Sequence, residues 1–386
     1  MSKLPIDRRT LLAGSAAAAV VYGAGRSRAM WPGGFVPAAN AASTGASSTG
    51  TATIEAASTG GRGLPQHGVN YDTEREVWKP EYVRREIRAI RRDLHCNAII
   101  ILGSDVARLM LAARRAADEG MFVWLEARQF DQDAPTTLRF LTKVARAAER
   151  LRRRHSGIGI SVGCELTIFM DGLVPGKDYK ERGANLSTPA GAGYNERLNA
   201  FLEKALKTVR PLFGGKLTYT SGVWEKVAWR GFDMVGVDLY RDASNKATYV
   251  QDVRALHRFG KPVLITEFGC CTYKGADERG GEGFDIIDWN QTPPVVLPGY
   301  VRDERVQARY IGECLDVYEA ENVYGAFVYN FIEADSPTSP DRDLDYDMAG
   351  YALVKVSPDP RLAYGKTGHW EPKLAFRTLA RRYARG

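Results

Sequence analysis

Histidine is scarce in this chain, five in 386 residues, and His67, His95, His155, His257 and His369 form no HxH or HExxH pair. Clustered imidazoles with carboxylates are what a catalytic metal requires, so no metal is expected. Cysteine is equally sparse. Cys96, Cys164, Cys270, Cys271 and Cys314 are odd in number, irregular in spacing and without a CxxC, which excludes a disulfide framework. A redox or metal role for the adjacent Cys270 and Cys271 is the lesser reading. No GxGxxG follows the first expected strand, so no nucleotide cofactor is expected. No serine nucleophile elbow, the G-x-S-x-G turn, is expected either. No cofactor of any kind is therefore called for, and acid–base chemistry by carboxylates is what is left.

A strong charge bias is also missing. The formal charge is +7, but residues 1–41 carry +4 of it, leaving +3 on the remainder. That balance gives no nucleic-acid footprint. The basic stretch Arg150 to Arg154 falls on an expected helix and reads as a solvated face. A long apolar run is absent too: Ala13 to Val21 is short of the ~20 residues a bilayer-spanning helix needs, so no stable membrane insertion is expected.

What the N-terminus does contain is Asp7-Arg8-Arg9-Thr10-Leu11-Leu12 ahead of that short apolar run. The paired arginines resemble a twin-arginine export signal, with a cleavage site around Ala39-Asn40-Ala41. The resemblance implies a signal peptide over residues 1–41, the twin-arginine export machinery as a partner, and an extracellular, periplasmic or cell-wall location. Residues 42–64 are rich in Ser, Thr, Ala and Gly and read as a flexible linker. The folded domain is expected over 65–386.

Beyond residue 65 short apolar runs alternate with amphipathic stretches, the pattern of parallel βα units. Strands are expected at 68–72, 97–102, 121–127, 158–164, 216–221, 232–240, 262–268 and 324–331. Eight strand–helix pairs in order specify an α/β chain folded as a closed (β/α)8 TIM barrel of one domain. An open doubly wound sheet is the alternative. Long loops follow strands 4, 7 and 8, on the face where such barrels carry their active sites.

Two of the strand ends on that face carry glutamate. Strand 4 finishes Val162-Gly163-Cys164-Glu165-Leu166 and strand 7 finishes Leu264-Ile265-Thr266-Glu267-Phe268-Gly269. A glutamate closing an apolar strand is rarely buried without a partner or a role. The two stand 102 residues apart in the chain, yet strands 4 and 7 face each other across a barrel mouth. Glycoside cleavage needs such a carboxyl pair, one to protonate the leaving oxygen and one to attack the anomeric carbon or activate water. Further strand-end residues that could line the mouth are Asn70 and Asp72 after strand 1, Glu126 and Arg128 after strand 3, Trp224 after strand 5, and Asn330 and Glu333 after strand 8. Glu126 is the rival carboxylate.

At these residues the chain resembles the clan of retaining (β/α)8 glycosidases that includes cellulases, β-mannanases and β-galactosidases. Ile265-Thr266-Glu267-Phe268-Gly269 looks like the clan's nucleophile motif, and Val162-Gly163-Cys164-Glu165-Leu166 like the acid/base segment of β-mannanase-like members. Asp238-Leu239-Tyr240 fits the place of the clan's tyrosine, which hydrogen-bonds the nucleophile. Trp370-Glu371-Pro372-Lys373-Leu374-Ala375-Phe376 is similar to the segment leading into the last helix. The resemblance implies Glu267 as nucleophile, Glu165 as general acid/base, Tyr240 as a third catalytic residue, and an oligo- or polysaccharide as substrate. Two positions depart from it: Cys164 stands where most members have Asn, and Asn330-Phe331 where many have Trp. A carbohydrate-binding barrel without catalysis is the competing reading.

Overall fold

The computed structural model describes residues 63–385. The expected signal peptide and cleavage site, and all of the linker but Gly63 and Leu64, lie outside the described residues. Eight parallel strands close into a barrel. They are β1 (Gln66–Asp72), β2 (Ala98–Gly103), β3 (Phe122–Ala127), β4 (Ile158–Cys164), β5 (Lys216–Ser221), β6 (Val235–Asp238), β7 (Val263–Phe268) and β8 (Gly325–Val328). Neighbours in sequence are neighbours in the sheet, and β8 pairs with β1 to close it. The fold is the (β/α)8 barrel expected from the sequence.

The helices follow the amphipathic stretches: α1 (Pro80–Arg92), α2 (Val106–Asp118), α3 (Ala134–Arg152), α4 (Tyr194–Val209), α5 (Tyr249–Leu256), α6 (Glu304–Ala320) and α7 (Leu374–Tyr383). Local chemistry sets their starts. Pro80 opens α1, and Asp105 and Asp133 cap α2 and α3 by accepting backbone N–H bonds. The last turns of α1 and α3 are basic, as the C-terminal end of a helix dipole favours. No described helix is long and apolar enough to cross a membrane.

The expectation of a helix after every strand fails between β5 and β6. Among the described residues none forms there, and Val227, Trp229 and Phe232 of the connection are buried instead. Trp229 packs edge-on against Phe232 and Phe259, filling the helix position with side chains. Strands 6 and 8 are also shorter than expected, so Tyr240 and Asn330 stand on loops just past the strand ends.

The barrel interior changes character along its axis. Toward the N-terminal end Ala98, Ile100, Trp124, Met234, Leu264 and Phe327 form an apolar plug. Gly159 makes room for the Trp124 ring, since a Cβ there would lie 2.5 Å from it. Toward the C-terminal end the interior turns polar, with Thr220 of β5 donating to Glu126 of β3 at 2.9 Å and Thr266 of β7 to Asp238 of β6 at 2.9 Å. The register of the barrel shifts at three places, between Ser161 and Cys164, between Val237 and Asp238, and between Ala326 and Val328. Irregularities of this kind re-aim side chains, and the first two fall beside Glu165 and Glu267.

Candidate active site

Glu165 follows β4 directly and heads a single helical turn, Leu166–Phe169. Its backbone is left-handed (φ 43°, ψ 44°), a conformation that costs a non-glycine residue roughly 1–2 kcal/mol. Neighbours hold it there: its N–H donates to the Thr220 carbonyl, and its carbonyl accepts from Ile168 and Phe169. The side chain is buried, and no described residue donates a hydrogen bond to its carboxyl. Burial drives its pKa well above the ordinary carboxylate range, and the charges of Glu267 and Glu225 raise it further.

Glu267 sits inside β7 and is also buried, but it is fully partnered. Arg128 forms an ion pair with its Oε1, and the Tyr240 hydroxyl donates to Oε2 at 3.1 Å. Burial raises its pKa to about 7, opposed by Arg128 and the Tyr240 bond. The two carboxyls therefore differ in a defined direction. Glu267 is held toward the carboxylate, and Glu165 keeps its proton to higher pH. Each has an oxygen within 4.8 Å of Cys164 Sγ.

Arg128 organises the centre. Besides Glu267 it pairs with Glu126, and its Nη2 lies 2.9 Å from Cys164 Sγ. Glu126, the rival carboxylate, is thus engaged by Arg128 on one oxygen and by Thr220 on the other. Asp238 completes the cluster, its Oδ2 lying 3.5 Å from Cys164 Sγ, and burial raises its pKa well above normal. Two sets, Glu126–Cys164–Glu267 and Cys164–Glu165–Asp238, have the spacing of metal ligands. The guanidinium already stands among them as the cation. Burial likewise raises the Cys164 thiol, so it enters as a neutral group.

The remaining expected residues divide. Asn70 is buried under the cluster and donates to the Thr266 carbonyl at 2.9 Å, bracing the strand that carries Glu267. Trp224 is half-buried beside the Glu165 turn, with its indole N–H donating to Thr167 Oγ1 at 2.9 Å. Asp72, Asn330 and Glu333 line a cleft over the ends of β1 and β8, and Glu165, Glu267 and Trp224 do not. Tyr329 joins the two regions: it lines the cleft, and its hydroxyl is pushed up by burial and then by the charges of Asp72 and Glu267.

Sequence reasoning missed Asp238 and Glu225. Asp238 ends β6 two residues before Tyr240, so the strand-end criterion applied to Glu165 and Glu267 would have found it. Glu225 accepts from Thr167 N and Oγ1, Tyr219 OH and Gly222 N, tying the β5 loop to the Glu165 turn. It lay in a stretch without periodicity. The G-x-S-x-G string does occur, as Gly159-Ile160-Ser161-Val162-Gly163, contrary to expectation. It runs inside β4, whereas an elbow needs a strand-to-helix turn. Ser161 donates to the Gly163 carbonyl at 2.8 Å.

No family model matches the chain, and no curated protein matches it. Solved structures do. A GH113 β-1,4-mannanase in complex form aligns at a TM-score of 0.56 and 14% identity, over 83% of this chain and 98% of that one. The fold resembles that of the GH113 β-mannanases. A second, AaManA from Alicyclobacillus acidocaldarius in complex with ManMIm, gives 0.52 and 14% over 83% and 97%. A GH2 β-galacturonidase from Eisenbergiella tayi bound to galacturonate gives 0.51 and 15%, over 83% of this chain and 51% of that one. The likeness to GH113 β-mannanases is one of fold, and it agrees with the clan that the strand-end motifs resemble.

Proposed function

We propose that the chain is a retaining glycoside hydrolase with Glu267 as nucleophile and Glu165 as general acid/base. The observation that carries the reading is the unequal environment of two buried carboxyls at the barrel mouth. Glu267 is paired with Arg128 and Tyr240, while Glu165 accepts no hydrogen bond from the described residues and lies under the field of Glu267. Environments that push paired carboxyls apart assign acid and base. The β-mannanase-like fold and the strand-end motifs support the same chemistry.

In the first step a Glu267 oxygen bonds to the anomeric carbon as the glycosidic C–O bond breaks, and the Glu165 proton passes to the departing oxygen. In the second, Glu165 as carboxylate takes a proton from water. The water oxygen bonds to the same carbon, and the glycosyl–Glu267 ester bond breaks. Two inversions give retention. Tyr240 and Arg128 hold Glu267 in position between the steps. The N-terminal motif supports action on an extracytoplasmic glycan after twin-arginine export. A reporter fused behind residues 1–41 that stays cytoplasmic, with or without Arg8→Lys and Arg9→Lys, would remove that part.

The test uses aryl glycosides with activated leaving groups. Glu267→Gln should abolish turnover in a protein that still melts cooperatively. Glu165→Ala should keep part of its activity on these substrates and gain it with azide, giving a glycosyl azide of retained configuration. Turnover undiminished in both variants overturns the assignment. Binding of glycans by a wild-type protein that cleaves none of them would favour the carbohydrate-binding barrel.

A further inference from the structure

Glu225, on the loop after β5, is a buried carboxyl that the two chemical steps do not use. It accepts four hydrogen bonds, two on each oxygen. Oε1 takes the Thr167 backbone N–H at 3.0 Å and the Thr167 hydroxyl at 2.6 Å. Oε2 takes the Tyr219 hydroxyl at 2.8 Å and the Gly222 N–H at 3.2 Å. The two N–H groups can only donate. The two hydroxyls are themselves acceptors, Tyr219 from the Leu166 N–H at 2.8 Å and Thr167 from the Trp224 indole N–H at 2.9 Å, so their own protons point to Glu225. Four donors on two oxygens is the setting of an ionised carboxylate, and none of the four belongs to a cation. Burial raises the Glu225 pKa to about 7 while these bonds pull it down, so the group is charged above neutral pH.

The partners converge on Glu165. Leu166 and Thr167 open the helical turn that Glu165 heads, and the N–H groups at the start of a helix have no partner within it. A residue at the head of a helix commonly satisfies them with its own side chain. Glu165 makes no such bond. Glu225 takes the Thr167 N–H, and Tyr219, held by Glu225, takes that of Leu166. The Glu165 carboxyl is thereby left for the reacting centre. Glu225 also acts on it as a charge: after burial and Glu267, it is the next influence that raises the Glu165 pKa. The other groups facing Glu165 are Glu126 and Arg128 at the end of β3 and Asp238 of β6, with Cys164 and Tyr219 kept neutral by burial.

We propose that Glu225 is the positioning residue of the general acid: it caps the turn that carries Glu165 and sets a fixed negative charge against it. The inference rests on the glycosidase reading above and explains how that site keeps its acid protonated while Glu267 stands ionised. Glu225 acts through Glu165 and transfers no proton itself. Once Glu165 has passed its proton to the departing oxygen, two carboxylates face each other. Their repulsion favours the return of a proton to Glu165 from the attacking water in the second step.

The experiment follows the Glu165 carboxyl by NMR in the full chain with labelled glutamate carboxyl carbons, its signal identified by its loss in Glu165→Gln. In Glu225→Gln, which is isosteric and removes the charge, the Glu165 titration midpoint should fall by about one pH unit, the scale of one neighbouring charge. kcat on aryl glycosides with poor leaving groups should fall about tenfold, and on activated ones far less, since only the former need the acid. Tyr219→Phe keeps the Glu225 charge and opens the cap. The Ile168 and Phe169 amides, which donate to the Glu165 carbonyl, should then exchange with solvent severalfold faster, with the Glu165 midpoint not lowered. This variant carries the test where Glu225→Gln does not fold. A Glu165 midpoint that stays or rises in Glu225→Gln, equal losses of kcat on both classes of glycoside, or unchanged exchange in Tyr219→Phe overturns the proposal. A wild-type chain that cleaves no glycoside, with the midpoint falling as stated, sinks the glycosidase reading and leaves the cap and its charge standing. Cleavage that is lost in Glu267→Gln, with the midpoint unmoved in Glu225→Gln, does the reverse.

Discussion

Arg128 shares a single nitrogen between two buried carboxylates: its Nη2 lies 2.7 Å from Glu126 Oε1 and ion-pairs with Glu267 Oε1 as well. One guanidinium therefore balances a pocket that also contains Glu165 and Asp238. A cation so placed is worth most when it is removed, because the carboxylates remain buried without it.

Replacing Arg128 with Met should lower stability by about 3–5 kcal/mol, the cost of stripping one partner from a buried ion pair. Arg128→Lys keeps the charge but loses the planar fork that reaches Glu126, Glu267 and Cys164 together. It should fold with a smaller loss and a markedly reduced kcat. Urea melts read the first effect and steady-state kinetics the second. Equal stability of Arg128→Met and wild type would remove the structural role argued for the guanidinium.

The pH–rate profile should be bell-shaped. Its rising limb lies near pH 7, where Glu267 ionises, and its falling limb lies higher, where Glu165 loses the proton it must donate. Tyr240→Phe removes one of the groups that lower the Glu267 pKa, so the rising limb should move to higher pH. A hydrogen bond to a charged group contributes about 1.5–3 kcal/mol, which sets the expected fall in kcat/KM at roughly tenfold or more. A limb that stays in place, or moves down, contradicts the Tyr240–Glu267 contact.

Cys164 is buried, and its thiol is held neutral. Iodoacetamide, which needs an exposed thiolate, should leave the native enzyme active. Cys164→Ser should retain most activity, since it removes neither carboxyl nor Arg128. Rapid inactivation by the reagent, protected by substrate, would give the thiol a direct role that this arrangement does not.

Stability should fall as pH rises from about 4.5 to about 7. Glu225 and Glu267 are both buried and titrate near 7 in the fold, raised above their ordinary value by burial. Across that window the native state holds protons that the unfolded chain has released, so unfolding becomes easier with rising pH. Each group contributes at most ~1.4 kcal/mol per pH unit, and half-buried Asp72 and Glu333 add less. Calorimetric melting temperatures across the range check the sign; a steady rise would mean that both carboxyls are ionised throughout.

Much of the architecture was legible in the chain. Isoleucine-rich runs such as Ala98–Gly103 and capped helices such as the one opened by Asp105 are local signals, and they appear where the pattern puts them. The β5–β6 connection was misjudged because a buried loop and a buried helix present the same apolar residues. Trp229 and Phe232 fill the space without a helical repeat.

The amino-acid order by itself determined that two apolar strands end in Glu165 and Glu267 and that eight such strands follow one another, because strand period and burial preference act over a few residues. Barrel closure decided the rest. Only it set Arg128 between Glu126 and Glu267, brought Asp238 to Cys164, and sent Asp72 and Glu333 to a separate cleft. Charge pairing and desolvation depend on which distant side chains share a low-dielectric space, and that is a property of the closed sheet and not of any segment within it.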